Sequence, residues 1–146
     1  MTSLNGVLLS PIKIINTSGG DVLHAMKKTD LGFYDFGEAY FSEIQSGAIK
    51  AWKRHKEMIM NLIVPVGVIR FVLYDDRKNS STFGHFQEVI LSRDNYRRLT
   101  VPANLWMGFQ CIGKQTGVLL NIASIPHVQE EADRVPLNAI KYNWEI

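Results

Sequence analysis

The sequence lacks several features that would assign it to a class at once. Its 146 residues include a single cysteine, Cys111, so the chain can form neither an internal disulfide nor a thiolate metal cluster, and we expect a small buried hydrophobe there. No run approaches the roughly 18 consecutive apolar residues of a membrane helix. The net charge of +2 is too small for the concentrated basic face that nucleic acid requires. We therefore expect no membrane span and no nucleic-acid partner.

The N-terminus gives no sign of export. The residues MTSLNGVLLSPIKII lack the basic segment and the small-residue cleavage site of a signal peptide. A lone cysteine fits a reducing compartment, which together with this N-terminus predicts a cytoplasmic location. Hydrophobic residues make up 46% of the chain, enough for one core, and no repeat, low-complexity tract or linker interrupts it. We expect one domain over residues 1–146.

Short segments rich in valine, isoleucine, phenylalanine and tyrosine, separated by glycine and proline, predict an all-β domain. Alternation is clearest in GVIRFVLYDD, where Ile69, Phe71 and Leu73 share one face of a strand. The other face is mixed, which favours two sheets or a barrel, and such a set of short strands points to a jelly roll with a mouth for one small ligand. The predicted strands are Val7–Ile15, Phe36–Ile44, Ala48–Trp52, Met58–Val64, Val68–Asp75, His85–Leu91, Tyr96–Val101, Leu105–Ile112 and Val118–Ile125.

Three connections have their own signals. In TVPANLWMGF, proline fixes one turn corner and Asn104 tolerates a positive φ, so a tight strand–turn–strand is expected. The loop LYDDRKNSSTFG holds Asp75, Asp76 and Arg77, either as a salt-bridged loop or as a carboxylate pair for acid–base work. The segment VQEEADRV, Val128–Val135, predicts a polar turn or short helix that the following proline stops.

The stretch IKAWKRHKEM concentrates the charge of the chain. Lys50, Lys53, Arg54 and His55 are either a solvated basic turn or the lining of a pocket for an anion. Lys53 and His55 are two residues apart, so in a strand they share one face. Trp52 beside them, and Trp106 further along, can serve as stacking surfaces, although tryptophan is more often part of a core or a subunit interface.

Several motifs occur in a set order: FGEAYFS and GAIKAW, then VPVGVIRFVLYDDR with SSTFG, then LSRDNYRRLTVPANLWMGF, and a final tryptophan. In this series the chain resembles the dTDP-4-dehydrorhamnose 3,5-epimerase family, the nucleotide-sugar branch of the cupin jelly rolls. KAWKRHK is also similar to the histidine motif of sugar 3,4-ketoisomerases. The resemblance implies a cupin-type jelly roll, a homodimer formed by strand exchange, no cofactor, and proton abstraction next to the keto group of a nucleotide-linked sugar.

The resemblance also implies site residues. The epimerase base position is Lys53 here, and His55 matches the second ketoisomerase histidine, so His55 is the expected base and Lys53 a cation or alternate base. Lys50 stands where the family arginine holds diphosphate, Met107 where the family has a histidine, and His127 near the position of the family's proton donor. The expected substrate-binding residues are Lys50, Trp52, Arg54, Trp106, Met107 and His127. One imidazole cannot hold a catalytic metal, so none is expected.

The departures from the family pattern leave the function open. The family tyrosine falls at about Ile125 or Pro126, and its lysine near Met60. We expect a nucleotide-sugar epimerase or isomerase in deoxysugar or surface-polysaccharide synthesis. The alternatives are a non-catalytic cupin that binds a sugar nucleotide or another anion as a regulator or partner, and an enzyme whose pocket is rebuilt around Lys53 and Trp106 for a different substrate.

Overall fold

The computed structural model describes residues 3–146, which form β-strands joined by turns and two single-turn 3-10 helices, Gln129–Glu131 and Leu137–Ala139. Within this part of the chain, no helix has the length and apolar character needed to cross a membrane. The strands are β1 Leu8–Pro11, β2 Ile14–Ile15, β3 Val22–Leu23, β4 Glu38–Ile44, β5 Ile49–His55, β6 Met60–Val66, β7 Val68–Tyr74, β8 Phe86–Ser92, β9 Arg97–Val101, β10 Trp106–Cys111, β11 Gly117–Ala123 and β12 Ala132–Arg134.

Two five-stranded antiparallel sheets enclose the main core, which confirms the all-β prediction. The first sheet has the order β1-β9-β6-β11-β4 and the second β12-β5-β10-β7-β8, while β2 and β3 form a small hairpin. As the alternation predicts, Ile69, Phe71 and Leu73 of β7 all point into this core. They meet Leu99 and Leu119 from the first sheet. Each sheet therefore contributes one apolar face to the same interior.

The second sheet is also covered on its outer face, which explains the mixed pattern on β7. Val72 packs there in a second cluster with Trp52 and Trp106. The C-terminal segment lies over this cluster, where the partly buried residues are Val135, Ile140, Tyr142 and Trp144. The tail is thus part of the fold, and β7 is buried on both sides.

The turn after β9 forms as predicted. Asn104 has φ of 69° and closes the connection between β9 and β10. Its backbone amide donates a hydrogen bond of 2.7 Å to the carbonyl of His55. The turn therefore also anchors the end of β5, the strand that carries the basic stretch.

The loop after β7 is a structural network. Asp75 is fully buried and accepts hydrogen bonds from Arg77, Ser80 and Thr82 at 2.6 to 3.0 Å. Burial alone would raise the pKa of Asp75, but these hydrogen bonds outweigh it and hold the pKa well below its usual range. The carboxylate is therefore a fixed anion that organises the loop, as the salt-bridged alternative predicts.

Two predicted segments differ from the structure. The single strand expected over Val7–Ile15 is broken, because Pro11 ends β1 and, without an amide hydrogen, cannot extend the ladder. The helix-like segment Val128–Val135 is one 3-10 turn followed by strand β12. Pairing of β12 with β5 supplies backbone partners that the local sequence does not reveal, so tertiary context overrides the helical preference.

Candidate functional site

Strand β5 presents its basic residues to two different environments. Lys53 lies opposite Met107 of β10, which packs against the main core, whereas Arg54 lies opposite Trp106, which belongs to the outer cluster. Because side chains alternate along a strand, His55 shares the inner face with Lys53. The basic stretch is therefore neither a turn nor one patch, since it divides into an inward pair and an outward arginine.

His55 is held by a buried carboxylate. Its Nδ1 lies 2.6 Å from Oε1 of Glu131, and the two side chains are only 12% and 6% exposed. The other carboxylate oxygen, Oε2, accepts hydrogen bonds from the backbone amides of Glu57 and Met58 at 3.0 and 2.9 Å. Glu131 thus ties the 3-10 turn before β12 to the end of β5 and fixes the imidazole ring.

The protonation states of this pair follow from their surroundings. Burial would raise the pKa of Glu131, but the amides of Glu57 and Met58 together with His55 lower it to about 2. Burial lowers the pKa of His55, as do the charges of Lys53 and Arg134, against the opposing effect of Glu131. An ionised carboxylate can only accept, so neutral His55 must carry its proton on Nδ1. Nε2 is left with a free lone pair, as a general base requires.

A second charged group accompanies the dyad on the inner face. Burial lowers the pKa of the Lys53 ammonium, the nearby charge of Arg134 lowers it further, and Glu131 and Glu38 oppose the shift. Arg134 lies directly opposite Lys53 in the ladder between β12 and β5. The inner end of β5 therefore combines a neutral imidazole with two cations.

The facing sheet contributes a phenol. Tyr40 pairs with the buried Asn121 across β4 and β11, so both side chains are on the core-facing side of the first sheet. Burial raises the pKa of Tyr40, and the charge of Glu38 raises it further, which keeps the hydroxyl protonated at neutral pH. The negative charge of Glu38 raises the pKa of both Tyr40 on the first sheet and Lys53 on the second. Groups from the two facing sheets therefore interact electrostatically at this site.

Arg54, predicted to bind substrate, is engaged elsewhere. Its guanidinium donates to Asp133 at 2.9 Å and to Asp76 at 3.2 Å, and it stacks 4.5 Å from the ring centre of Trp106. These contacts lie on the outer face, away from His55. Lys50 is exposed near the far end of β5, where its ammonium donates to the carbonyl of Glu43 at 3.1 Å. Neither cation joins the inward pair.

The two tryptophans are packed in the outer cluster. Trp52 is 1% exposed, and its Nε1 donates a hydrogen bond of 3.0 Å to the Leu137 carbonyl. The centre of its ring lies 5.4 Å from the centre of the Trp144 ring. Trp106 is 7% exposed and donates to Asp76 at 2.9 Å. Burial under the C-terminal segment leaves Trp52 no surface for a ligand, so both side chains serve packing of the second sheet.

The remaining predicted positions are divided between core and surface. Met107 is partly buried against the main core, opposite Lys53. His127 is exposed in the turn after β11. Close to that turn a cavity of about 290 Å³ is bordered by Ile125, Val128 and Glu131, so it adjoins the His55 dyad through the carboxylate.

Four residues of this site, Glu38, Tyr40, Glu131 and Arg134, were missed from the sequence. Tyr40 and Glu38 could have been found, because the alternation in GEAYFSEI places them on one face of a strand. Glu131 had no such signal, since its partner is 76 positions away in the sequence. Among residues 3–146, no group of three histidine, cysteine, aspartate or glutamate side chains is arranged to hold a metal. The prediction of a metal-free site stays a prediction.

Known proteins share this fold and parts of this sequence. A dTDP sugar isomerase from Desulfovibrio desulfuricans G20 superimposes with a TM-score of 0.93 and 41% identity, covering 99% of this chain and 95% of that chain. The probable low-salt glycan biosynthesis epimerase Agl13 of Haloferax volcanii is 32% identical over 101 residues, which are 67% of this chain but only 65% of the relative. A Legionella pneumophila 3,5-epimerase solved with dTDP-4-keto-L-rhamnose has a TM-score of 0.82 at 22% identity, covering 93% of this chain and 76% of that chain, which is evidence of fold alone.

The family assignment rests on nearly the whole chain. The profile of the family described as dTDP-4-dehydrorhamnose 3,5-epimerase matches residues 4–145. The cupin-type jelly roll predicted from the motif series is confirmed, since these solved structures superimpose over 99% and 93% of this chain. This chain belongs to the dTDP-4-dehydrorhamnose 3,5-epimerase family.

Proposed function

We propose that this protein is an epimerase or isomerase of a dTDP-4-keto-6-deoxyhexose, acting in the synthesis of a deoxysugar or surface polysaccharide. The observation that carries the proposal is the 2.6 Å contact between Nδ1 of His55 and Oε1 of the buried Glu131, which leaves Nε2 of the imidazole free to accept a proton on the face that carries Lys53. The family assignment and a relative described as a glycan biosynthesis epimerase support this substrate class.

The proposed reaction uses only groups of this chain. Nε2 of His55 accepts the proton from the carbon next to the keto group, and the electrons of the broken C–H bond form an enolate. The ammonium of Lys53 stabilises the enolate oxygen as its negative charge develops. A proton then returns to carbon, from His55 on the same face or from the Tyr40 hydroxyl on the opposite face. Return from the opposite wall inverts the carbon and leaves an imidazolium and a tyrosinate, which are reset when His55 loses its proton to solvent and Tyr40 regains one. Return to the former carbonyl carbon, with the hydroxyl proton of the deprotonated carbon passing to the former keto oxygen, moves the keto group and gives an isomer.

Deuterium exchange tests the proposal directly. Mixed with dTDP-4-keto-6-deoxyglucose in deuterated water, the protein is expected to introduce deuterium next to the keto group, as followed by NMR. His55→Asn should lower this exchange about 10²- to 10⁴-fold, the usual contribution of a general base. His85→Asn, which changes an exposed histidine in the turn before β8, is the matched control and should exchange at the wild-type rate. Absence of exchange and of product in the wild-type protein contradicts the proposal for this substrate.

Tyr40→Phe separates exchange from inversion. Removing the hydroxyl leaves His55 and Lys53 in place, so deuterium should still enter the substrate while formation of the inverted product falls at least tenfold. Product stereochemistry by NMR is the measurement. Equal loss of exchange and inversion would show that Tyr40 is not the donor on the second face.

A second candidate is binding without turnover. Lys53, Ile125 and Met107 stand at positions where the family has proton-transfer or histidine residues, and this observation favours a sugar-nucleotide-binding regulator or partner protein. Saturable binding of the nucleotide sugar with no deuterium exchange, unchanged in His55→Asn, would identify this function.

A cytoplasmic homodimer is part of the proposal. Strand β1 forms one edge of the first sheet and β4 the other, and Phe36 and Phe41 are exposed near β4. Open strand edges and exposed aromatic side chains suit pairing with a second copy of the chain. Light scattering during size-exclusion chromatography tests this, and a monomeric mass at micromolar concentration contradicts it.

A further inference from the structure

The short strand β12 brings Glu131 to His55. Glu131 lies in the 3-10 turn directly before this three-residue strand, and its carbonyl accepts a hydrogen bond of 2.9 Å from the Lys56 amide. In the ladder between β12 and β5, Ala132 lies opposite His55. A shift of β12 by one residue would move the Glu131 carboxylate along β5 by about 3.3 Å, which the 2.6 Å contact with Nδ1 does not tolerate. The contact between Glu131 and His55 therefore depends on the register of β12.

One side-chain pair favours the observed register of β12. Of the three opposed pairs in the ladder, Asp133 and Arg54 carry opposite charges, and Nη2 of the arginine lies 2.9 Å from Oδ2 of the aspartate. Arg134 and Lys53 carry the same charge. Opposite charges directly across a sheet are stabilising and like charges are destabilising, while the backbone hydrogen bonds themselves can form in more than one register. The Asp133–Arg54 ion pair therefore selects the register that the strand adopts.

Arg54 is itself anchored to the strands on its other side. Its Nη1 donates a hydrogen bond of 3.2 Å to Oδ1 of Asp76, which follows β7, and its guanidinium lies 4.5 Å from the centre of the Trp106 ring on β10. Nε1 of Trp106 donates to the same Asp76 carboxylate at 2.9 Å. Since the sheet order is β12-β5-β10-β7-β8, these contacts join the edge strand β12 to the interior of the second sheet. The anchor lies on the outer face, opposite the dyad that it serves.

We propose that Arg54 and Asp133 are positioning residues that keep the Glu131 carboxylate in contact with His55. Both side chains lie on the outer face, so they act on the imidazole through Glu131 and the register of β12. This role replaces the contact with substrate that the sequence predicted for Arg54. The consequence for turnover rests on the proposed function, whereas the consequence for the imidazole does not.

The tautomer of His55 tests the proposal without any substrate. Long-range proton–nitrogen NMR correlations of the full chain at about pH 8, where histidine is neutral, distinguish the protonated ring nitrogen from the unprotonated one. The wild-type ring should carry its proton on Nδ1, because the hydrogen bond to a carboxylate selects that tautomer. Asp133→Asn and Arg54→Gln should each lower the population of this tautomer at least about twofold. His55→Asn identifies the signals of this ring by their absence.

Two matched variants control this measurement. Asp133→Glu keeps the negative charge opposite Arg54 and should retain most of the wild-type tautomer. Asp21→Asn removes an aspartate from a different ion pair, with Arg93, and should leave the imidazole unchanged. Circular dichroism melting verifies that each variant is folded.

Deuterium exchange shows whether Asp133 acts through Glu131. Asp133→Asn should lower kcat about ten- to a hundredfold with KM changed less than about twofold, since a displaced catalytic group loses rate rather than substrate affinity. In Glu131→Gln the contact with His55 is already impaired, so adding Asp133→Asn should lower exchange less than about twofold further. This lack of additivity is what a purely structural ion pair would not produce.

The failures of the two proposals give different results. An unchanged tautomer in folded Asp133→Asn and Arg54→Gln overturns the positioning role, and so does a wild-type ring protonated on Nε2. Loss of the fold in both variants also overturns it, because the ion pair would then serve stability rather than position. A tautomer that shifts in the variants, with no deuterium exchange by the wild-type protein, supports the positioning role and removes the proposed activity.

Discussion

The two faces of strand β5 use similar residues for opposite purposes. On the outer face, Trp52 is packed under the C-terminal segment, and Arg54 is neutralised by two aspartates and stacked on an indole. On the inner face, Lys53 has no counter-ion in contact among residues 3–146, and burial lowers the pKa of His55 even though a carboxylate is beside it. Satisfied charges stabilise a fold, whereas unsatisfied ones can act on a ligand. The comparison assigns structure to one face and chemistry to the other.

Among the variants of the outer face, Trp52→Ala should cause the largest loss of stability. The side chain is 1% exposed and supports the tail through Trp144 and the Leu137 carbonyl, so its removal leaves a large cavity. We expect the free energy of unfolding to fall by about 3–5 kcal/mol, measured by denaturant titration. Tyr34→Ala, which truncates an exposed aromatic residue, should change it by less than about 0.5 kcal/mol. Unchanged stability of Trp52→Ala would contradict the structural role of this face.

Glu131→Gln should reduce deuterium exchange at the inner-face site without unfolding the protein. Loss of the carboxylate weakens the control of the His55 tautomer, and we expect exchange to fall on the order of 10²- to 10⁴-fold. In the wild-type protein the rate should be level near neutral pH and fall below the pKa of His55, which lies under its ordinary 6.5 because of burial. Since Glu131 is the group that raises this pKa, its loss should move the fall to still lower pH.

Arg134→Gln is the control for the pH dependence of exchange in Glu131→Gln. Arg134→Gln removes a charge that lowers the pKa of His55, so its profile should shift to higher pH instead. Exchange rates from pH 5 to 8 measure both shifts. Shifts of both variants in the same direction would contradict the electrostatic arrangement around His55, in which Glu131 opposes Lys53 and Arg134.

Lys53→Met should change the free energy of unfolding least of these variants, and it should increase it. Removing a half-buried cation opposite Arg134 relieves like-charge repulsion, so the free energy of unfolding should rise by about 0.2–1 kcal/mol while exchange falls. Arg54→Gln provides the contrast, with a loss of up to about 1 kcal/mol because its partly exposed ion pairs are broken. Destabilisation by Lys53→Met equal to that of Arg54→Gln would remove the distinction between the two faces.

Local pattern was sufficient for most of the fold. The strands were predicted because apolar alternation and turn residues are properties of a few neighbouring positions, as in β7 and at Asn104. The segment before Pro136 was assigned incorrectly in its second half, because its strand exists only through pairing with β5. The ion pairs that neutralise Arg54 were equally hidden, since its acidic partners lie 22 and 79 positions away.

The sequence by itself determined the β-roll, the family and the shared face of Lys53 and His55, because these follow from local periodicity and ordered motifs. Only the tertiary structure decided what each of those residues can do. It brought Glu131 to His55, placed Arg134 opposite Lys53 and buried Trp52 under the tail. The physical reason is that protonation state and charge neutralisation depend on groups within a few ångströms in space, and in a sheet most of those groups come from distant parts of the chain.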